Sequence, residues 1–168
     1  MASYKTRAII LKTAPFSEAD KMVTLFSRDA GKIKAIAKSA RKVPSRLGGR
    51  VEPFTHAEYF IAKGRNLDII SQCQMIETFQ KIRDGEDRLP AGLYILKLID
   101  MGTSIGQPYP ELFDLLLNAL LQLKADVPGR KVAKGFVTDF VVLEGIYQAE
   151  VNPTDSLIEH IGRDIRKW

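Results

Sequence analysis

The sequence has 168 residues, with 25 Lys and Arg against 20 Asp and Glu, 45% hydrophobic residues and a single cysteine, Cys73. A chain of this length and hydrophobicity buries a core without staples, and one cysteine excludes an internal disulfide or a cysteine-rich zinc site within one chain. No apolar run reaches membrane-spanning length, and the start, MASYKTRAIILKT, has charges spaced through its apolar residues; no membrane helix or secretory signal is expected, and the compartment is expected to be cytoplasmic.

The first eighty residues read as strands. Tyr4–Thr13 is rich in β-branched and apolar residues, with Tyr4, Thr6 and Ala8 alternating against Lys5 and Arg7. Lys21–Ser27 follows a break at Ala14–Ser17. Asp29-Ala30-Gly31 then turns the chain into Lys32–Lys38, where Ile33, Ala35 and Ala37 share one face and Lys32, Lys34 and Lys38 the other. Ile36 is the exception on the basic face. A basic loop leads to Val51–Ala62, and Lys63-Gly64-Arg65-Asn66 reads as a hairpin connection into Leu67–Gln74. Five short strands joined by turns suggest a small barrel or sandwich, and a five-stranded oligonucleotide-binding (OB) barrel is the natural candidate.

The second half changes period. Leu89–Met101 and the segment after Pro110 read as helices, the latter with Leu112, Leu115, Leu116, Ala119, Leu120 and Leu123 on one stripe. Lys131–Tyr147 reads as another helix, and a last one follows Asn152-Pro153, with Thr154 or Asp155 as its expected cap. The fold class is therefore α+β, an OB barrel over residues 1–80 followed by an all-helical domain over 81–168.

Charge is distributed unevenly. Residues 1–83 hold 16 cations and 7 anions, and residues 84–168 hold 9 cations and 13 anions. Between Asp29 and Glu52 there is no carboxylate, yet the segment carries Lys32, Lys34, Lys38, Arg41, Lys42, Arg46 and Arg50. Uncompensated like charge of this kind waits for an anion, and a nucleic-acid backbone best matches a spread-out stripe. These seven residues are the candidate DNA contacts, with Lys5, Arg7 and Lys12 as an extension of the surface. Phe16 stands in a loop where a base can stack, although core packing is the expectation for it.

No catalytic constellation is present in the sequence. His56 and His160 lie in different halves, and Arg46-Leu47-Gly48-Gly49-Arg50 lacks the Gly-Lys-Ser/Thr ending of a phosphate loop. No nucleophile is set beside a base. The chain reads as a binding protein and not an enzyme. Rival readings are an RNA-binding OB protein and a non-enzymatic scaffold whose basic loop docks an acidic protein.

The stretch PFSEADKMVTLFSRDAGKIKAIAKSARKVPSRLGGRVEPF, from Pro15 to Phe54, resembles the RecO family of bacterial DNA repair proteins, which are recombination mediators. The resemblance is carried by Glu18 and Asp20, Gly31-Lys32, Ala37-Lys38-Ser39-Ala40-Arg41, Ser45-Arg46-Leu47 and Pro53-Phe54. It continues through Tyr94, Leu96 and Leu98, then Pro110–Leu116, and then Phe136, Val141 and Gly145-Ile146-Tyr147. It implies an OB barrel with a helical domain, binding of single- and double-stranded DNA, and annealing of complementary strands. It implies as partners RecR, the C-terminal tail of single-strand-binding protein and, indirectly, RecA, in a nucleoid-associated setting. Family members often carry a four-cysteine zinc insertion after the equivalent of Gly145. Gln148–Trp168 has no cysteine, so no zinc and no cofactor is expected. The chain is also shorter than members commonly are, which reads as a compact form or as a missing C-terminal piece. An acidic tail ending in an apolar residue suits an apolar groove rimmed by cations, and Leu116, Leu120, Lys131 and Lys134 are the candidate partner contacts.

Overall fold

Alternation with a period of two builds the first unit. In the computed structural model, which describes residues 2–162, strands β1 (Ser3–Pro15), β2 (Lys21–Ser27), β3 (Gly31–Ala37), β4 (His56–Ala62) and β5 (Asp68–Glu77) close into a barrel. Their order is β1-β2-β3-β5-β4, with β4 pairing back onto β1. All pairings are antiparallel except β3 with β5. This is the OB barrel. Its interior is filled by alternate residues: Ala8 and Ile10, Val23 and Leu25, Ile33, Ala35 and Ala37, Ala57, Tyr59 and Ile61, and Ile70. Between Ile10 and Lys12 the register of β1 shifts, so Leu11 is an extra residue and Ile9, Ile10 and Leu11 are all buried.

The start of β4 and the extent of the barrel unit differ from the sequence expectation. β4 begins at His56, five residues later than expected, because Glu52–Thr55 forms a turn. The Thr55 N–H donates to the Glu52 carbonyl at 3.2 Å, Phe54 takes a positive φ of 76°, and Pro53 has no N–H to offer a ladder. The second difference is a long-range one. Residues Thr103–Pro110 belong to the barrel unit with the chain up to Phe79. This strap lies along the start of β3: Lys32 and Ile105 form a parallel bridge, and the Gly106 N–H donates to the Lys32 carbonyl at 2.9 Å.

The second unit comprises Gln80–Gly102 and the chain from Glu111 onward. It holds a short helix α1 (Gln80–Arg83), then α2 (Arg88–Gly102), α3 (Pro110–Lys124), α4 (Gly129–Leu143) and α5 (Pro153–Ile161). The expected domain 81–168 runs beyond the described residues, at 163–168. Its core is made by Ile95, Leu98 and Ile99 of α2, Leu112, Leu116 and Leu120 of α3, and Val132, Phe136 and Phe140 of α4. The Phe136 and Phe140 rings stack 5.9 Å apart. Helix α4 stops short of the expected Tyr147 because Gly145 turns the chain at φ 73°. At α5 the cap is Asn152, not Thr154 or Asp155. Its side chain accepts the Thr154 N–H at 2.9 Å, and Pro153 occupies the first turn. Among the described residues no helix is long and apolar enough to cross a membrane.

Candidate nucleic-acid interface

The carboxylate-free segment leaves β3 at Ala37 and returns at His56, and it is pinned from below by its apolar residues. Ala40, Leu47 and Val51 are buried as part of the barrel core. Backbone hydrogen bonds hold the path between these anchors. Ser39 has a positive φ of 59°, and its N–H donates to an Asp20 carboxylate oxygen at 2.8 Å. The Arg41 N–H donates to the Ala19 carbonyl at 3.0 Å, and its guanidinium donates to the Ser17 carbonyl. The Ser45 hydroxyl accepts from the N–H groups of Leu47 and Gly48 at 3.1 and 3.0 Å, a local turn that such side chains favour. The Tyr59 hydroxyl, rising from inside the barrel, donates to the Arg50 carbonyl at 2.7 Å. Glu52, which ends the segment, pairs with Lys21 at 2.9 Å and leaves the loop's own cations to solvent.

Burying the small and apolar residues leaves the long charged ones on top. Lys38, Arg41, Lys42, Arg46 and Arg50 are all exposed on this loop, and Lys34 is exposed on β3. Arg50 also reaches the Cys73 carbonyl at 3.4 Å, which orients it along β5. Lys12 is exposed near the β1–β2 turn. Lys5 and Arg7 are exposed too, but they lie toward the other end of β1, roughly 20 Å of strand away from Lys12. Arg7 stands opposite Glu58 across the β1–β4 pairing. Phe16, expected to pack inward, is 49% exposed at the β1–β2 turn, beside the Ser17 carbonyl that holds Arg41. Among the described residues no three His, Cys, Asp or Glu side chains gather as metal ligands.

Residues 1–79 match the family model for the N-terminal part of recombination protein O, and residues 86–138 match the one for its C-terminal part. A DNA repair protein RecO from Pelotomaculum thermopropionicum is 38% identical over 145 residues, which cover 86% of this chain and 56% of that protein. The chain belongs to the RecO family. A second relative, from Desulforamulus reducens, is 38% identical over 146 residues, covering 87% of this chain and 57% of its own length. A third, from a Nocardioides species, is 37% identical over 162 residues, covering 95% and 64%. The chain therefore spans about half the length of the curated relatives it matches.

Several residues that carry the RecO resemblance have a structural task here. Asp20 holds Ser39, Ser45 folds the loop onto itself, Leu47 anchors it, and Phe54 is buried at the turn into β4. In the sequence these residues stand as a signature with no task attached. The ordered spacing was visible, whereas the pairing of Asp20 with a backbone N–H nineteen residues later was not.

Three candidate residues are placed otherwise than expected. Lys32 is only 8% exposed, and its ammonium donates to the Thr103 carbonyl at 2.9 Å. The alternation put it on the solvent face correctly, but the strap covers that face at its start. Leu116 and Leu120 are fully buried in the helical core, so they are not a partner surface. Their stripe faces inward, and at its edge Leu115 and Ala119 share a small cavity with Val132 and Phe136 of α4. Lys131 and Lys134 are exposed on α4, and Lys134 lines a cavity of about 250 Å³ with Tyr94, Arg130, Ala133 and Val137.

Proposed function

We propose that this chain is a DNA-binding recombination mediator, and that the exposed cations of the pinned loop are its DNA contacts. The supporting observation is a basic stripe tied to the OB barrel by buried anchors and hydrogen bonds, with no acidic residue within the loop. Pinning matters because a preordered loop gives up little entropy when it meets phosphates. Arg41 and Arg46 fork onto phosphate oxygens, while Lys38 and Lys42 act as looser point charges. Phe16 offers an aromatic face to a base beside that row. Both single and double strands satisfy this surface, since it positions the backbone and reads little sequence.

Annealing then needs no catalytic group. Neutralising phosphates on two strands lowers their mutual repulsion and raises their local concentration. Within this reading the chain anneals complementary strands and helps RecA load onto coated DNA, acting with RecR. The acidic tail of single-strand-binding protein occupies the apolar groove rimmed by Arg130 and Lys134, in place of the Leu116–Leu120 stripe.

The test is binding of a labelled single strand, read by fluorescence polarisation across a salt series. The loop's five exposed cations together with Lys34 of β3 correspond to a log–log salt slope of roughly −4, at about −0.7 per phosphate contact. The variant Lys38→Glu/Arg41→Glu/Arg46→Glu is expected to lose this binding. A slope near zero, or full affinity in the variant, overturns the reading.

A further inference from the structure

β3 runs from Gly31 into the basic loop, so the start of β3 marks the end of the barrel away from that loop. There a cavity of about 610 Å³ opens between β3, the β4–β5 connection and the strap. Its volume lies within the roughly 300–1,000 Å³ usual for small-molecule sites. Tyr4, Leu67 and Ile105 supply its apolar walls, and Lys34, Lys63, Asn66 and the Asp68 carboxylate supply its polar ones, with the Lys32 ammonium held on the Thr103 carbonyl. Leu67 and Ile105 are 36% and 57% exposed, an unusual pair of large apolar residues around one opening.

The chemistry of these walls is selective. An aromatic ring and two aliphatic side chains accept a flat apolar group. The Asn66 amide offers a donor and an acceptor to that group's edge, and the ammonium groups of Lys34 and Lys63, in excess over the single Asp68 carboxylate, call for a phosphate. A nucleotide with an unpaired base carries all three features. A duplex does not, because its bases are stacked and paired. Lys63 already sits over the Tyr4 ring, with its ammonium 5.7 Å from the ring centre. An entering base takes that face, and Lys63 moves to the flanking phosphate, so its charge keeps a partner in both states. Burial and the nearby Asp68 charge push the Tyr4 hydroxyl above its ordinary value of 10.0. It is therefore neutral around pH 7, and Asp68 is the one acidic residue on the lining.

We infer that this cavity captures one unstacked base of a single strand, with Tyr4 beneath the base and Lys34 and Lys63 on the adjoining phosphates. The inference rests on the DNA-binding reading above and adds a preference for single strands, which the basic loop alone does not provide.

The experiment uses the full chain and a short single strand carrying one fluorescent purine analogue, beside a duplex of the same length. The wild type is compared with Tyr4→Leu, Ile105→Glu and the triple loop variant. Ile105 is exposed, so Ile105→Glu closes the cavity without touching the core, should Tyr4→Leu weaken the barrel. Wild type is expected to quench the analogue by stacking. Both cavity variants are expected to lose the quench and bind the single strand about tenfold more weakly, the effect of one base–aromatic stack. Their duplex binding is expected to match wild type. Retained quenching in both variants, or an equal loss for single strand and duplex, overturns the cavity assignment while loop-dependent binding stands. Failure of wild type to bind either DNA overturns both.

Discussion

Asp20 stands next to a row of cations, and the sign of its effect on DNA binding separates two physical roles. As a charge it repels phosphate, so any neutral replacement should strengthen binding. As an acceptor for the Ser39 N–H at 2.8 Å it holds the loop in shape, a contribution of about 1 kcal/mol for an ordinary hydrogen bond. We expect positioning to win. Asp20→Ala should weaken single-strand binding about fivefold although it removes a negative charge, and Asp20→Asn, which keeps an acceptor, should not. Fluorescence polarisation on the two variants decides, and stronger binding by Asp20→Ala would assign Asp20 a purely electrostatic role. His56 offers a second residue-scale test. It is buried at the start of β4, and burial, then the Arg7 charge, lowers its pKa from the ordinary 6.5, with Glu77 acting in the opposite direction. Above pH 6.5 the imidazole is neutral in both folded and unfolded chains and contributes no pH dependence. Below it the unfolded chain takes up the proton first, so stability falls as pH falls toward the folded-state pKa and then levels off. Thermal melts on either side of pH 6.5 should show this drop in wild type and a flatter profile in His56→Gln.

The strap and α3 show, at the scale of elements, what a local pattern reveals and what it leaves out. Alternation along β3 is a local property, and it separates Ile33, Ala35 and Ala37 from the lysines without any knowledge of the fold. What covers the other face is not local. The strap arrives from seventy-one residues away to accept the Lys32 ammonium, and no window on the sequence contains both ends of that contact. Similarly, the 3.6-residue period of α3 identifies a stripe but not its partner, so Leu116 and Leu120 read equally well as a groove or a core. The bulge at Leu11 breaks the alternation of β1 for a reason set by pairing with β2. By contrast, the basic loop was legible because charges without carboxylates must face water wherever the chain goes. Two expectations follow. A Cβ on Gly31, which has a φ of 74°, would stand 2.3 Å from the Gln107 carbonyl oxygen. Gly31→Ala should therefore cost about 2 kcal/mol or more through strain and displacement of the strap, seen as a lower denaturation midpoint. Leu120→Ala should cost about 2–5 kcal/mol as a core cavity. DNA affinity per folded molecule should be unchanged in Leu120→Ala.

Over the whole molecule, the question is whether DNA senses the net charge of the chain or the place where the charge sits. The N-terminal half has 16 cations against 7 anions and the C-terminal half 9 against 13, so the formal net charge of +5 hides a strong internal asymmetry. At about 0.1 M salt the screening length is roughly 10 Å, so a charge contributes to bound DNA chiefly when it lies within about that distance of a phosphate. Location should then matter far more than total. Arg41→Glu/Arg46→Glu and Lys131→Glu/Lys134→Glu make the same change in net charge, one pair on the loop and the other on α4. The loop pair should flatten the salt slope from roughly −4 to roughly −3 and weaken binding at every salt concentration, because two phosphate contacts are gone. The α4 pair should leave slope and affinity near wild type, while weakening capture of an acidic, apolar-ended peptide if the Arg130–Lys134 groove is its site. Equal losses from both pairs would mean that DNA responds to the chain's overall field, and the pinned loop would then be only the most conspicuous part of a diffuse surface.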